Sequence, residues 1–228
     1  MAKTQRRNRK ANEKGNVMTK TIETLSALEA EKLLDVLLCD SGTVIKKIKG
    51  IRNYLIGLLM LDAGMRVGEV VSLQKSDLIF EVTYAGDDYT PVLEAVGTIV
   101  ILPKNSKNGE GRTIPTSQRI KDAILNMNKH FWKKFEVRWN QAAFMGYSLL
   151  SPMSVRQIER IILSAGKTAI GKAVHPHMLR HTFATKLMRT TSIRIVQQLL
   201  GHKQLSSTQV YTHPGMDDLK NAINSIEP

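Results

Sequence analysis

The chain has 228 residues, with 33 Lys and Arg against 20 Asp and Glu, a formal net charge of +13. Its 42% hydrophobic content suffices for a packed core, and the length suits one domain with a small appendage. The single Cys39 excludes a disulfide framework and a cysteine zinc cluster. The longest apolar run, Leu55 to Leu61, is too short to cross a bilayer, and the N-terminus lacks the apolar stretch of a secretory signal. Together these features predict a soluble, cytoplasmic, basic protein.

The positive charge is uneven. Residues 1–21 hold seven Lys and Arg, among them Arg6, Arg7, Arg9 and Lys10, against Glu13 alone. A block of like charge without apolar periodicity predicts a flexible arm able to neutralise nucleic-acid phosphates, with a solubilising tail as the plainer alternative. Ordered structure is expected to begin near Leu25. Ser26 and Glu29 form a capping box ahead of a helix over Ala27 to Leu38, whose Leu33, Leu34, Leu37 and Leu38 make an apolar stripe. A loop and a basic turn (Lys46 to Gly50) follow, then a buried helix from Arg52 to Ala63 that Gly64 stops. Met65 to Glu69 lead tightly into another short helix.

From Leu78 to Thr116 the pattern turns to β-structure. The β-branched runs Gly97 to Leu102 and Arg112 to Pro115 flank a hairpin-type turn, Lys107 to Gly111. Helical signals return after Ser117. Ser154 and Gln157 cap a helix bearing Val155, Ile158, Ile161, Ile162 and Ala165 on one face. Pro176 opens a helix through Met188, and Thr191-Ser192 precede one that ends at Gly201. The predicted fold class is mainly α with a small antiparallel, three-stranded β-sheet (α+β).

Two motifs invite other readings and fail. Gly166 to Ala173 spells G-x-x-x-x-G-K-A, but a phosphate loop needs Ser or Thr after the lysine and a strand before the first glycine. It reads as a helix end. Five of the six histidines fall after residue 174, and His177 and His181 share a helix face. Arg180 sits between them and no carboxylate or thiol joins them at ligand spacing, so no metal site is expected.

What remains is a constellation of anion-binding and proton-transferring groups. His177 and Arg180, three apart on a helix, project to one side. Arg66 lies in the turn after Gly64, Lys107 in the hairpin, His202 just past a helix end, and Tyr211 nine residues further on. Two arginines, a lysine, two histidines and a tyrosine suit metal-free phosphodiester transesterification: guanidinium forks neutralise non-bridging oxygens while a phenol attacks phosphorus. Singly, each has a duller reading. Arg66 also suits an ion pair with Glu69, Lys107 a solvated turn, the histidines core or capping places, and Tyr211 simple packing.

In order and spacing these segments resemble the tyrosine recombinase (phage integrase) family over nearly all of Leu25 to Gly215. The matching segments are Gly64-Met65-Arg66-Val67-Gly68-Glu69, with Asp77 beyond it; Ser106 to Pro115; His175-Pro176-His177-Met178-Leu179-Arg180-His181; and Leu199-Leu200-Gly201-His202 through Tyr211-Thr212-His213. The resemblance implies a catalytic domain over residues 22–215 in which Tyr211 forms a 3′-phosphotyrosyl bond. It further implies that Arg66 and Arg180 clamp the scissile phosphate, Lys107 protonates the 5′-oxygen, His177 transfers a proton and His202 bonds the phosphate. Glu69 and His181 would support them from behind. It implies no cofactor, double-stranded DNA as partner, a homotetramer on two sites, and an accessory DNA-bending or directionality protein as a possible further partner. Residues 216–228 would form a tail helix exchanged between protomers or docked on its own domain. The chain departs from the pattern in three ways. Only the basic arm and one helical region precede the first box, where the family usually has a separate DNA-binding domain. Gly68 replaces a small hydroxyl residue. The segment Phe80 to Gly97, with Asp87-Asp88, exceeds the family's minimal sheet and is expected as an exposed loop. A type IB topoisomerase and an accessory DNA-binding protein are the competing functions.

Overall fold

The computed structural model describes residues 22–85, 90–106, 109–138, 140–146 and 151–201, and for residues 79–96 the backbone only. Helix α1 spans Ala27–Leu38, with both halves of the predicted capping box formed: the Ser26 hydroxyl accepts from the Glu29 amide, and the Glu29 carboxylate from the Ser26 amide. Its Leu33, Leu34 and Leu37 are buried. Helix α2 covers Val44–Leu61, and the basic turn expected at Lys46–Gly50 is therefore helical. Thr43 caps this longer helix. Gly50 lets it lie directly against α1, since a Cβ there would sit 1.7 Å from the Leu38 carbonyl oxygen. Charge along this stretch obscured a helix that packing requires.

After α2 the chain reverses through Gly64 (φ 61°) into α3, Val67–Ser72. Strands β1 (Leu78–Ala85), β2 (Thr90–Ile101) and β3 (Arg112–Pro115) form an antiparallel sheet in the order β1-β2-β3. The stretch Phe80 to Gly97, expected as an exposed loop, is instead mostly ladder, paired from Phe80↔Ala95 to Ala85↔Thr90. Its β-branched and aromatic content outweighs the two acidic residues near its centre. The antiparallel neighbours β2 and β3 are joined by a link containing a 3-10 turn, Pro103–Asn105; of the hairpin-type turn expected at Lys107 to Gly111, residues 107 and 108 lie outside the described residues.

Helix α4 (Gln118–Met127) continues into a π-helical turn, Asn128–Trp132, where the buried Trp132 indole donates to the Ala143 carbonyl. Helices α5 (Val155–Ile170), α6 (Pro176–Met188) and α7 (Ile193–Leu200) complete the described chain. The G-x-x-x-x-G-K-A segment is the end of α5: Gly166 packs on Val174, and Gly171 adopts the left-handed cap. α1 packs on α2 and α5, α2 also on α4 and α6, and one core joins them. A small satellite core, Ala184, Val196 and Leu200, fixes α7 on α6. No described helix is long and apolar enough to cross a membrane.

Candidate active site

The site grows from the reversal after α2. Gly64 takes a left-handed conformation with no room for a Cβ, which would meet the Phe183 ring at 2.3 Å. This close approach sets the turn against α6. Arg66 is the residue preceding α3, and its backbone amide is satisfied by the Glu69 carboxylate at 2.8 Å. Its guanidinium also reaches Glu69, Nη1 to Oε1 at 3.0 Å, while remaining partly exposed. The ion-pair reading of Arg66 is thus realised, and it leaves the rest of the guanidinium fork open to an anion.

Arg180 is placed from the other side. His175 caps α6 through its Nδ1, which accepts from the Met178 amide at 3.2 Å, and Pro176 occupies the first turn where no amide is needed. One turn on, the buried Arg180 donates to the Gly64 carbonyl, and through Nη2 to the Leu200 carbonyl at 2.7 Å. It therefore joins the turn that carries Arg66 to the C-terminal end of α7. His177 lies on the exposed side of α6, with the half-buried His181 ring 6.4 Å away. Partial burial lowers the His177 pKa, and His175, Arg180 and Arg66 lower it further against a small opposing effect of Glu159. Its neutral form, a proton acceptor, is favoured. Burial also lowers the His181 pKa, with His177, His175 and Arg180 acting in the same sense.

A residue absent from the sequence-derived set completes the arrangement. Arg112, the first residue of β3, grips Glu69 with both prongs of its fork, Nη1 to Oε1 and Nη2 to Oε2, each at 2.8 Å. Burial alone would raise the Glu69 pKa, but the Arg112 hydrogen bonds and charge, with the Arg66 amide and charge, bring it below the ordinary value. Its signal in the sequence was a strand position: Arg112 alternates in phase with the buried Ile114, so a cation faces inward. Arg66 and Arg112 thus converge on one carboxylate, and Arg180 braces the turn that carries the first of them. Three cations against one anion leave the cluster net positive, with Arg66 its partly exposed member and the one placed to meet an anion. A cavity of about 460 Å³ borders Arg112 and is otherwise lined by Glu110, Gly111, Thr113, Gln197, Gln198 and Gly201.

The structure therefore brings together Arg66, Glu69, His177, Arg180 and His181. Lys107, His202 and Tyr211, like Arg6, Arg7, Arg9 and Lys10 of the arm and the tail 216–228, lie outside the described residues. Among the described residues no three His, Cys, Asp or Glu side chains are grouped to hold a metal ion.

Comparison with known proteins gives this geometry a context. The tyrosine recombinase XerC of Pediococcus pentosaceus is 32% identical over 183 residues, which cover 78% of this chain and 55% of that protein. A crystal structure of XerA recombinase superposes with a TM-score of 0.65 at 27% identity, covering 90% of this chain and 66% of that one. XerH site-specific recombinase, in a pre-cleavage complex with its difH substrate, shares the fold with a TM-score of 0.66 at 22% identity, over 93% and 57% of the two chains. The chain spans little more than half the length of the curated relatives it matches. The sequence pattern of the phage integrase family is matched continuously from residue 23 to residue 217, and the chain belongs to that family.

Proposed function

We propose that this chain is the catalytic part of a site-specific DNA recombinase that cleaves and rejoins DNA through a 3′-phosphotyrosyl intermediate, with neither metal nor ATP. The observation that carries the reading is the joining of Arg66 and Arg180 through the Gly64 turn, with His177, whose pKa burial and these charges lower, on the same helix as Arg180. Two guanidinium groups held by backbone and carboxylate contacts are pre-organised for the oxygens of one phosphodiester, so their charge needs no rearrangement as the pentavalent transition state forms.

In this mechanism the Tyr211 oxygen attacks phosphorus and the bond to the 5′-oxygen breaks. The phenol, with a pKa of about 10 when free, gives up its proton on the nucleophile side, where His177 accepts or relays it. Lys107 supplies a proton to the departing 5′-oxygen, and His202 donates to a phosphate oxygen. The phosphotyrosyl bond stores the energy of the broken link, so a 5′-hydroxyl can restore DNA by the reverse step. Double-stranded DNA is the substrate, a tetramer on two sites the working assembly, and the cytoplasm its place.

The test uses wild type and Tyr211→Phe with supercoiled DNA carrying the gene's flanking sequence, in EDTA, quenched with SDS. A covalent adduct with wild type alone is expected. An adduct that survives in Tyr211→Phe shows a different nucleophile. Supercoil relaxation without recombinant products points to a topoisomerase, and salt-sensitive binding without adduct to an accessory protein.

A further inference from the structure

We infer that Arg112 is a positioning residue that holds the end of α7, and hence the point where the chain leaves toward His202 and Tyr211, in register with Arg66. The inference rests on the recombinase reading above. All three nitrogens of the Arg112 guanidinium are engaged: Nη1 and Nη2 on Glu69, and Nε on the Leu199 carbonyl at 3.0 Å. Glu69 is equally saturated. Its Oε1 accepts from Arg66 and Arg112 side chains, and its Oε2 from the Arg66 amide and Arg112. One planar cation thus connects segments 43 and 87 residues away in the chain.

The far end of this linkage is specific. A helix exposes its last carbonyls, and two arginines meet those of α7: Arg112 at Leu199 and Arg180 at Leu200. The chain then leaves through Gly201 in the left-handed region (φ 62°), where a Cβ would lie 3.1 Å from Arg112 Nη1. The exit is fixed by the same guanidinium that orients Glu69, and Glu69 orients Arg66. A lysine at this position keeps the charge but cannot make the fork and the Nε bond together. Displacement of the exit by about 1 Å is enough to cost about 100-fold in a reaction that depends on alignment.

The test compares full-length wild type, Arg112→Lys and the paired variant Glu69→Met/Arg112→Met, which replaces the buried charges with apolar volume. The readouts are amide hydrogen exchange over residues 66–70 and 196–201 without DNA, the melting temperature, affinity for a nicked duplex carrying the gene's flanking sequence, and the adduct rate at saturating duplex. Arg112→Lys is expected to bind the duplex within about threefold of wild type, form adduct about 100-fold more slowly and exchange faster in both segments. The paired variant is expected to regain melting temperature but not rate. Unchanged exchange in Arg112→Lys, a rate within threefold of wild type, or recovery of both stability and rate in the paired variant overturns the inference. Wild type without adduct overturns the recombinase reading instead, and the exchange comparison still decides whether Arg112 fixes the end of α7.

Discussion

His177 shows how the site tunes a single group. Its pKa is lowered first by partial burial and then by His175, Arg180 and Arg66, so its titration midpoint in the free protein is expected below the ordinary 6.5. Imidazole NMR over pH 4–8 measures it directly, and Arg66→Ala should move the midpoint upward by removing one repelling charge. A midpoint above 6.5, or no response to Arg66→Ala, contradicts the electrostatics described. In Glu69 a shift of the same direction favours the charged form instead. Its folded pKa is lowered, so its contribution is complete above the unfolded value of 4.5 and is lost as pH falls through the folded value. Glu69→Gln should cost about 3–5 kcal/mol at pH 7, because it breaks a buried ion pair and strands Arg112. Urea unfolding should show that deficit shrinking below pH 4.5; a deficit that persists into acid rules out the charge as its source. At this scale the sequence was legible where short segments carry the grouped side chains, as at Arg66 and at His177 to His181, which the structure brings together. At Arg112 only the inward strand phase could be read; its partners lie far away along the chain and share no local pattern with it.

At the scale of elements, glycine marks where shape is imposed. Gly50 and Gly57 lie seven residues apart on α2 and face α1, where added Cβ atoms would strike the Leu38 carbonyl at 1.7 Å and the Leu37 side chain at 2.7 Å. A backbone clash cannot be relieved by a rotamer change, so Gly50→Ala should destabilise by well over about 1–3 kcal/mol, the usual cost of overpacking. Gly68, in the first turn of α3, has nothing within 4 Å of an added Cβ. There Gly68→Ala should stabilise by about 0.5–1 kcal/mol through helix propensity alone. Urea midpoints of the two variants test the pair, and a neutral Gly50→Ala would refute the tight α1–α2 crossing. Caps and apolar stripes made α1 and α5 readable, while Pro176 and Gly201 marked where α6 begins and α7 ends. The first turns of α2 were hidden because their lysines and exposed Val44 and Ile45 carry no apolar stripe, and only the packing on α1 explains them. The β1–β2 ladder was hidden for a related reason: pairing between two strands of one segment leaves no signature beyond β-propensity, and the acidic pair suggested a loop.

For the whole molecule the deciding quantity is charge. The chain carries +13, and the arm of residues 1–21 accounts for +6 of it with seven cations and one acid. The rest is spread over the domain, where Arg66 and Arg112 share a single glutamate and Arg180 adds a third cation beside the proposed phosphate site. Two roles for the arm make different demands. If it tracks DNA phosphates, removing residues 2–20 weakens binding and flattens the slope of log affinity against log salt by about 0.9 for each phosphate no longer neutralised. The weakening should be the same for a duplex bearing the gene's flanking sequence and for an unrelated one, since phosphate contacts read no bases. A solubilising tail leaves affinity and slope intact and changes only aggregation. Titrations of full-length and truncated protein on both duplexes, from 50 to 200 mM salt, separate the two. Equal weakening on both with a shallower slope assigns the arm to the backbone, weakening confined to the flanking-sequence duplex assigns it to sequence reading, and unchanged curves remove it from DNA binding altogether.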